Sequence, residues 1–420
     1  MLNLFQLVLQ IVVILVAARI VGFIFQKINQ PQVMGEMVAG ILLGPSLLGW
    51  LAPGVSAALF PPASMAYLNA LSQVGLVIFM FVVGLALNPK ELHGYGHAAV
   101  LTSHVSIVAP FCLGGLTALY LYPRLSDDSV PFAHFALFMG AAMSITAFPV
   151  LARILSERGL VRSRMGMLSI ACAAVDDITG WCILAYIVVL VRVSHTGRPV
   201  WVTIGGSLVY VLIMFYGVRR ILPVFERIYL KRNRLSDNLL AMIVVLLLAS
   251  ALATEWLGIH LLFGAFLMGA IMPKTPEFTG YLLHKFESVT VVLLLPLFFA
   301  YTGLRARIGV GGSREIWLYC AIVVVVAIAG KLGGSMAAAR LAGMPWRDAG
   351  ALGILMNTRG LMELVILNIG LDIRVISPAM FSIMVFMALV TTFMTTPLLE
   401  WVYPTRLLQK QVDELQRNVA

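Results

Sequence analysis

The 420 residues are 60% apolar and only 11% charged, with a mean hydropathy of +0.96. Such a composition excludes a soluble enzyme and a disordered chain, and it fits a protein that crosses a membrane many times. The formal net charge of +10 could suggest a nucleic-acid partner, but the placement of Lys and Arg along the chain accounts for it without one.

A bilayer core about 30 Å thick takes about 20 helical residues at roughly 1.5 Å each. Apolar spans run near 4–26, 32–50, 66–87, 98–122, 131–155, 164–191, 200–222, 237–256, 258–273, 284–304, 315–341, 348–370 and 375–400, which predicts an all-α polytopic membrane protein of thirteen transmembrane helices. The span 258–273 is short, and Glu255, Trp256 and Gly258 at its boundary with the preceding span read as a tight turn or a kink. With the N-terminus outside, 19 of the 29 Lys and Arg fall on the cytoplasmic side and 7 on the other, leaving Arg19, Lys331 and Arg359 within spans. The first span has no basic leading region and no small-residue cleavage site, so it reads as a retained helix. The polar stretch 219–237 reads as a cytoplasmic or interfacial connector, or a continuation of the seventh helix. Residues 1–400 form one transmembrane domain and 401–420 a short cytoplasmic tail, with no soluble regulatory domain expected. Cys112, Cys172, Cys182 and Cys320 all fall inside spans, without zinc spacing, and read as packing residues.

Asp176 and Asp177 stand side by side in the apolar run 165–191. An ionisable group near the bilayer midplane costs roughly 2.5–3.5 kcal/mol or more, so it faces a wet cavity and handles an ion or a proton. Asp176 is expected about 16 Å from the cytoplasmic face and Lys331, on the eleventh span, about 14 Å from the same face. An ion pair between the two helices is the economical arrangement at that shared depth. Neighbouring residues on a helix point about 100° apart, so one lysine cannot serve both carboxylates equally. One aspartate is expected to pair while the other exchanges a proton for a cation.

Two further spans carry helix breakers at a similar depth. Ser144, Thr146, Phe148 and Pro149 interrupt the fifth, with the proline removing a backbone donor; Asn357, Thr358, Arg359 and Gly360 interrupt the twelfth. Unwound backbone at membrane depth is tolerated where it is buried in protein or lines a cavity. Two interrupted spans of opposite direction in corresponding halves are the pattern of inverted-repeat transporters. Arg359 and Glu363, one turn apart, read equally as a structural pair at half-helix ends or as participants in transport. Glu36 is a further buried acid that could line the ion path, while Glu255 and His260 read as interfacial.

The strings Gly35-Glu36 through Gly44-Pro45-Ser46-Leu47-Leu48-Gly49, Ser144 to Leu155, Val175-Asp176-Asp177, Gly258-Ile259-His260, Lys331, and Asn357 to Leu364 together resemble the second branch of the monovalent cation:proton antiporters, the Kef-, NapA- and CHX-type exchangers. The fifth- and twelfth-span strings are most similar to CHX-type members, whereas Asp-Asp is similar to the NapA type. The resemblance implies a NapA/NhaA-like antiporter fold and a homodimer of thirteen-helix protomers. Each protomer would have dimerisation helices and a mobile six-helix core at about 98–194 and 315–400, in which two broken helices cross. It also implies Asp177 as the main cation and proton site, Asp176 as the partner of Lys331, and Thr146 as an additional ligand.

The expected function is K+ or Na+ exchange for protons by alternating access, in a bacterial inner membrane, with the C-terminus cytoplasmic. The partners are a monovalent cation, the proton, the lipid bilayer and a second copy of the chain, with no nucleic acid, cofactor or resident metal. A Kef-like efflux channel and an organic-anion symporter on the same fold are the alternatives. An intramembrane aspartyl protease would carry its acids on separate helices with a Gly-x-Gly-Asp string, which is absent here, so no enzymatic activity is expected.

Overall fold

The computed structural model describes residues 4–87, 96–127, 129–158, 160, 164–196, 200–232, 235–308 and 314–404. The tail expected over 401–420 therefore lies outside the described residues beyond position 404. Every regular element among the described residues is helical. Proline marks many of the starts: Pro31, Pro61, Pro131 and Pro345 precede first turns, and Pro276 and Pro378 stand within them. There its fixed φ suits the helix and its missing N–H removes a donor that would have no intrahelical partner.

Among the described residues ten helices are long and apolar enough to cross a membrane, or eleven when Trp346–Met356 and Leu361–Asp372, bent by 42°, are taken as one broken span. The difference from thirteen arises at two places. The expected span 131–155 divides into Phe132–Ser144 and Phe148–Glu157, and the expected span 258–273 is the short helix Leu261–Ile271. The first division follows from extended backbone at Ile145 (φ −82°, ψ 137°), which halts the helical ladder. At the second, Gly258 takes φ +87° and the Ile259 N–H donates to the Thr254 carbonyl, closing the preceding helix in the tight turn expected there. Glu255 then accepts from the Leu261 N–H at 3.0 Å and caps the next helix. Over 219–237 the helical course continues through Pro223–Arg232, so that Gly205–Lys231 forms one apolar span.

The chain divides into two compact units. The first comprises 1–15, 59–91 and 185–301. Within it Pro62–Ala86 and Leu261–Ile271 pack backbone against backbone: a Cβ on Gly84 would fall 2.1 Å from the Phe266 carbonyl oxygen, so only glycine permits the approach. Lys274, just past this pair, donates to the Gly84, Leu85 and Gly269 carbonyls at 2.8–2.9 Å and so caps both helix ends with one cation.

The second unit comprises 16–58, 92–184 and 302–420. Its inner apolar cluster includes Leu151, Ile154, Leu155, Cys172, Leu352 and Leu355, all fully or almost fully buried. This packing joins the half-helices Phe148–Glu157 and Trp346–Met356 to the helix that carries the aspartates.

Candidate functional site

The two interrupted spans meet at their breaks. The Ala147 N–H donates to the Thr358 carbonyl at 3.0 Å, and the Thr146 hydroxyl lies 3.0 Å from the Met356 carbonyl. The unwound segments therefore cross, and each supplies hydrogen bonds that the other lost on leaving the helix. Gly360 makes the crossing sterically possible. Its φ of 169° is open to any residue, but a Cβ there would stand 2.7 Å from Val150 Cγ2.

Pro149 does not act as the expected mid-helix breaker. It occupies the second residue of Phe148–Glu157, a first-turn position where no ladder hydrogen bond is lost. The interruption instead comes from non-helical backbone over 145–147, extended at Ile145 and stabilised by contacts made across the crossing.

The broken helix Phe132–Ser144 leaves carbonyls with no acceptor role inside its own ladder. Two buried cations take them up. Arg359 donates to the Ala142 carbonyl at 2.7 Å and to the Met143 carbonyl, and Lys331 donates to the Ser144 carbonyl. A positive charge at a helix C-terminus complements its dipole. Lys331 sits in a π-helical turn, Ala329–Gly333, a local widening frequent at functional sites. Its three ammonium protons are fully used: Ser144 carbonyl, Ser106 carbonyl at 2.9 Å, and Asp176 Oδ2 at 2.6 Å.

Asp176 is completely buried and closely held. Besides Lys331, Ser103 Oγ stands 2.8 Å from Oδ1, Ser106 Oγ 2.8 Å from Oδ2, and Thr146 Oγ1 2.9 Å from Oδ2. Ser103 and Ser106 were absent from the sequence-derived site. Their spacing of three residues, on one face of the helix Gly96–Leu125, is the signal that marks them.

Asp177 differs. It is 2% exposed, and neither carboxylate oxygen has a hydrogen-bond partner among the described residues. The Phe148 backbone N–H, at the start of the second half-helix, faces it without completing a hydrogen bond. Asn357 Oδ1, Thr358 Oγ1 and Glu363 Oε1 are likewise buried oxygens with no partner among the described residues.

Arg359 also donates to Glu363 Oε2 at 3.0 Å, and its backbone N–H and C=O are both held by the Thr392 hydroxyl, at 2.9 and 2.7 Å. The Arg359–Glu363 pair thus stands beside the end of the half-helix Phe132–Ser144, whose last carbonyls Arg359 also takes up. Glu36 lies elsewhere, on Gln32–Leu43, where it accepts from Gln32 Nε2 at 3.1 Å; the shell around Asp176 is built without it.

Comparison with known proteins places this architecture. The sodium/hydrogen exchanger transmembrane family matches residues 12–401. A Na+/H+ antiporter of Synechocystis, NhaS4, is 45% identical over 395 residues, covering 94% of this chain and 96% of the relative. Cation/H+ antiporter 17 of Arabidopsis thaliana is 38% identical over 98% of this chain, and K+/H+ antiporter 1 of Saccharomyces cerevisiae 32% identical over 94%. The chain spans 50% and 46% of the lengths of those two relatives. In fold it is similar to the sodium proton antiporter MjNhaP1 of Methanocaldococcus jannaschii, with a TM-score of 0.64, 15% identity and coverage of 97% and 99% of the two chains. With ten or eleven apolar spans among its described residues, two interrupted helices crossing at buried acids, and a family match over nearly its full length, this chain is an integral membrane protein that belongs to the sodium/hydrogen exchanger family of transporters.

Proposed function

We propose that the protein exchanges a monovalent cation, K+ or Na+, for protons, and that both compete for Asp177. The observation that carries this reading is the charge of the buried set. Asp176 is balanced by Lys331 at 2.6 Å, and Glu363 by Arg359 at 3.0 Å. Asp177 remains, so the group carries one uncompensated negative charge when all its members are ionised. Leaving an ion unpaired in the interior costs several kcal/mol. One proton or one monovalent cation cancels the charge, and the two cannot both do so at once. Mutual exclusion at one carboxylate is sufficient to couple their fluxes.

In this reading the partnerless oxygens of Asn357 and Thr358, on the unwound segment that crosses Thr146 and Ala147, serve as further ligands for a hard cation in place of part of its hydration shell. Thr146, whose hydroxyl already faces Asp176 and the Met356 carbonyl, orients the neighbouring acid. The N-terminal end of Phe148–Glu157 favours the ionised carboxylate between proton release and cation entry. Transport follows by alternating access, with a core of about 98–194 and 315–400 moving once Asp177 is neutralised, in a homodimer whose N-terminus lies outside a bacterial inner membrane. The names of the Synechocystis and yeast relatives, Na+/H+ and K+/H+ antiporters, support proton-coupled exchange and leave both cations as candidates. An organic anion would add a second negative charge beside Asp177, which disfavours the symporter reading.

The test is intravesicular pH in acid-loaded proteoliposomes, with Na+, K+ and Li+ added in turn. Wild type should alkalinise the lumen with at least one cation, and Asp177→Asn should not. Full cation-dependent exchange by Asp177→Asn would exclude the mechanism.

A further inference from the structure

A cavity of about 280 Å³ lies in the second unit, remote in sequence from the aspartates, between the first turns of two membrane helices. Ile316, Trp317 and Cys320 of Arg314–Ile328 form one side, and Ala379, Ile383 and Phe386 of Pro378–Val402 the other. Trp317 and Phe386 meet edge to face with centroids 5.7 Å apart. The lining is predominantly apolar, and its volume is at the lower edge of the roughly 300–1,000 Å³ typical of small-molecule sites. It accommodates part of one acyl chain and not a whole lipid.

The mouth carries a cation held in place by its backbone. The Arg307 N–H donates to Ser382 Oγ at 3.0 Å, and the next N–H, of Ile308, donates to Ser46 Oγ at 2.9 Å. Ser382 Oγ in turn donates to the Pro378 carbonyl at 2.9 Å, so its hydroxyl serves the wall of the cavity. Arg307 is exposed, and its guanidinium has no ion pair or hydrogen bond among the described residues. Its neighbour Arg305 is different, committed to Asn368 at 3.0 Å and Asp372 at 2.7 Å. Arg314 adds a second exposed cation at the start of the helix that carries Trp317, and Glu315 beside it is the nearest acid in sequence.

The surroundings favour a lipid over a soluble ligand. Trp317, Leu318 and Val325 on this span are 48%, 53% and 63% exposed, and on a membrane-crossing helix such side chains meet acyl chains. A tryptophan at the helix start next to arginine is the composition of a membrane–water interface. On the orientation proposed above, Arg307 and Arg314 also belong to the minority of basic residues on the non-cytoplasmic side, against the prevailing bias.

We propose that this cavity binds an anionic phospholipid of the non-cytoplasmic leaflet, with the start of one acyl chain between the two helix ends and the phosphate against the Arg307 guanidinium. The guanidinium fork suits phosphate oxygens, and the apolar walls take the chain. The site is separate from the exchange chemistry and does not depend on it.

The test uses the full chain, delipidated in neutral detergent, and measures thermal unfolding with added phosphatidylglycerol, phosphatidylcholine or inorganic phosphate. Phosphatidylglycerol should raise the midpoint of wild type by several degrees more than phosphatidylcholine, and phosphate alone should have no effect. Arg307→Gln should abolish the difference between the two lipids, and Arg307→Lys should retain part of it. Ala379→Trp, which fills the cavity, should remove it with the guanidinium intact. Native mass spectrometry of wild type and Arg307→Gln supplies a reading independent of stability: one retained phosphatidylglycerol per protomer in the first and none in the second. Equal response to both lipids in wild type, or an unchanged phosphatidylglycerol preference in Arg307→Gln, would overturn the proposal. Stabilisation by inorganic phosphate would assign the site to a soluble anion and equally overturn it.

Discussion

Lys331 Nζ stands 2.6 Å from Asp176 Oδ2, while both oxygens of Asp177, the next residue along the same helix, have no hydrogen-bond partner among the described residues. One acid is neutralised and positioned, and the other is buried without a counter-charge. The difference has a measurable energetic counterpart. Lys331→Met leaves the Asp176 charge buried and unpaired, and removing one partner of a buried pair costs about 3–5 kcal/mol. Denaturation of the purified protein should show that loss, and Asp176→Asn/Lys331→Met should recover most of it. Additive losses in the double variant would refute the pairing.

Gly360 gives a steric prediction. Gly360→Ala places a Cβ 2.7 Å from Val150 Cγ2, and overpacking of this kind costs about 1–3 kcal/mol. Val150→Ala opens the space, so the double variant should be more stable than Gly360→Ala alone. Melting temperatures of the three variants check this, and failure of the rescue would locate the strain elsewhere.

Arg359 is distinguished from a simple charge by its geometry. Its guanidinium reaches the Ala142 and Met143 carbonyls and Glu363 at once. Lysine keeps the charge but lacks the planar fork. Arg359→Lys should therefore lose at least one hydrogen bond of a charged group, about 1.5–3 kcal/mol. Chemical denaturation measures it; a variant as stable as wild type would show that charge alone closes the half-helix.

Lys274 predicts a dependence on pH. It lies in the connection between Leu261–Ile271 and the helix that begins at Pro276, and burial pulls its ammonium down from 10.5 to about 7, against three carbonyl acceptors that favour the charged form. With the folded value below the unfolded one, the unfolded chain binds more protons between about pH 7 and 10.5. Its contribution to stability is therefore lowest below pH 7 and rises with pH across that window. Melting temperatures of wild type relative to Lys274→Met, from pH 6 to 10, should climb accordingly. A flat difference would mean that the carbonyls keep Lys274 charged throughout.

Much of the site was legible before the fold. Asp176, Asp177 and Lys331 stand out because charge inside an apolar run is conspicuous, and helical rise converts residue count into depth. The interruptions near Ser144 and Asn357 are visible as polar and proline-bearing strings, although Pro149 turned out to begin a half-helix. The helix count differs from the hydropathy pattern because hydropathy does not register a chain that stops and restarts within one apolar stretch, as it does at Ile145.

Composition and pattern by themselves determined that this is a helical membrane protein, which apolar runs carry charges, and which spans are broken, because each of these depends on residues close together in the chain. Tertiary structure decided the partners. Lys331 reaches Asp176 across 155 positions, Arg359 reaches Ala142 across 217, and Ser103 and Ser106 complete the Asp176 shell from another helix. Those contacts depend on how each helix is rotated about its own axis, and that rotation is set by packing among all of them at once.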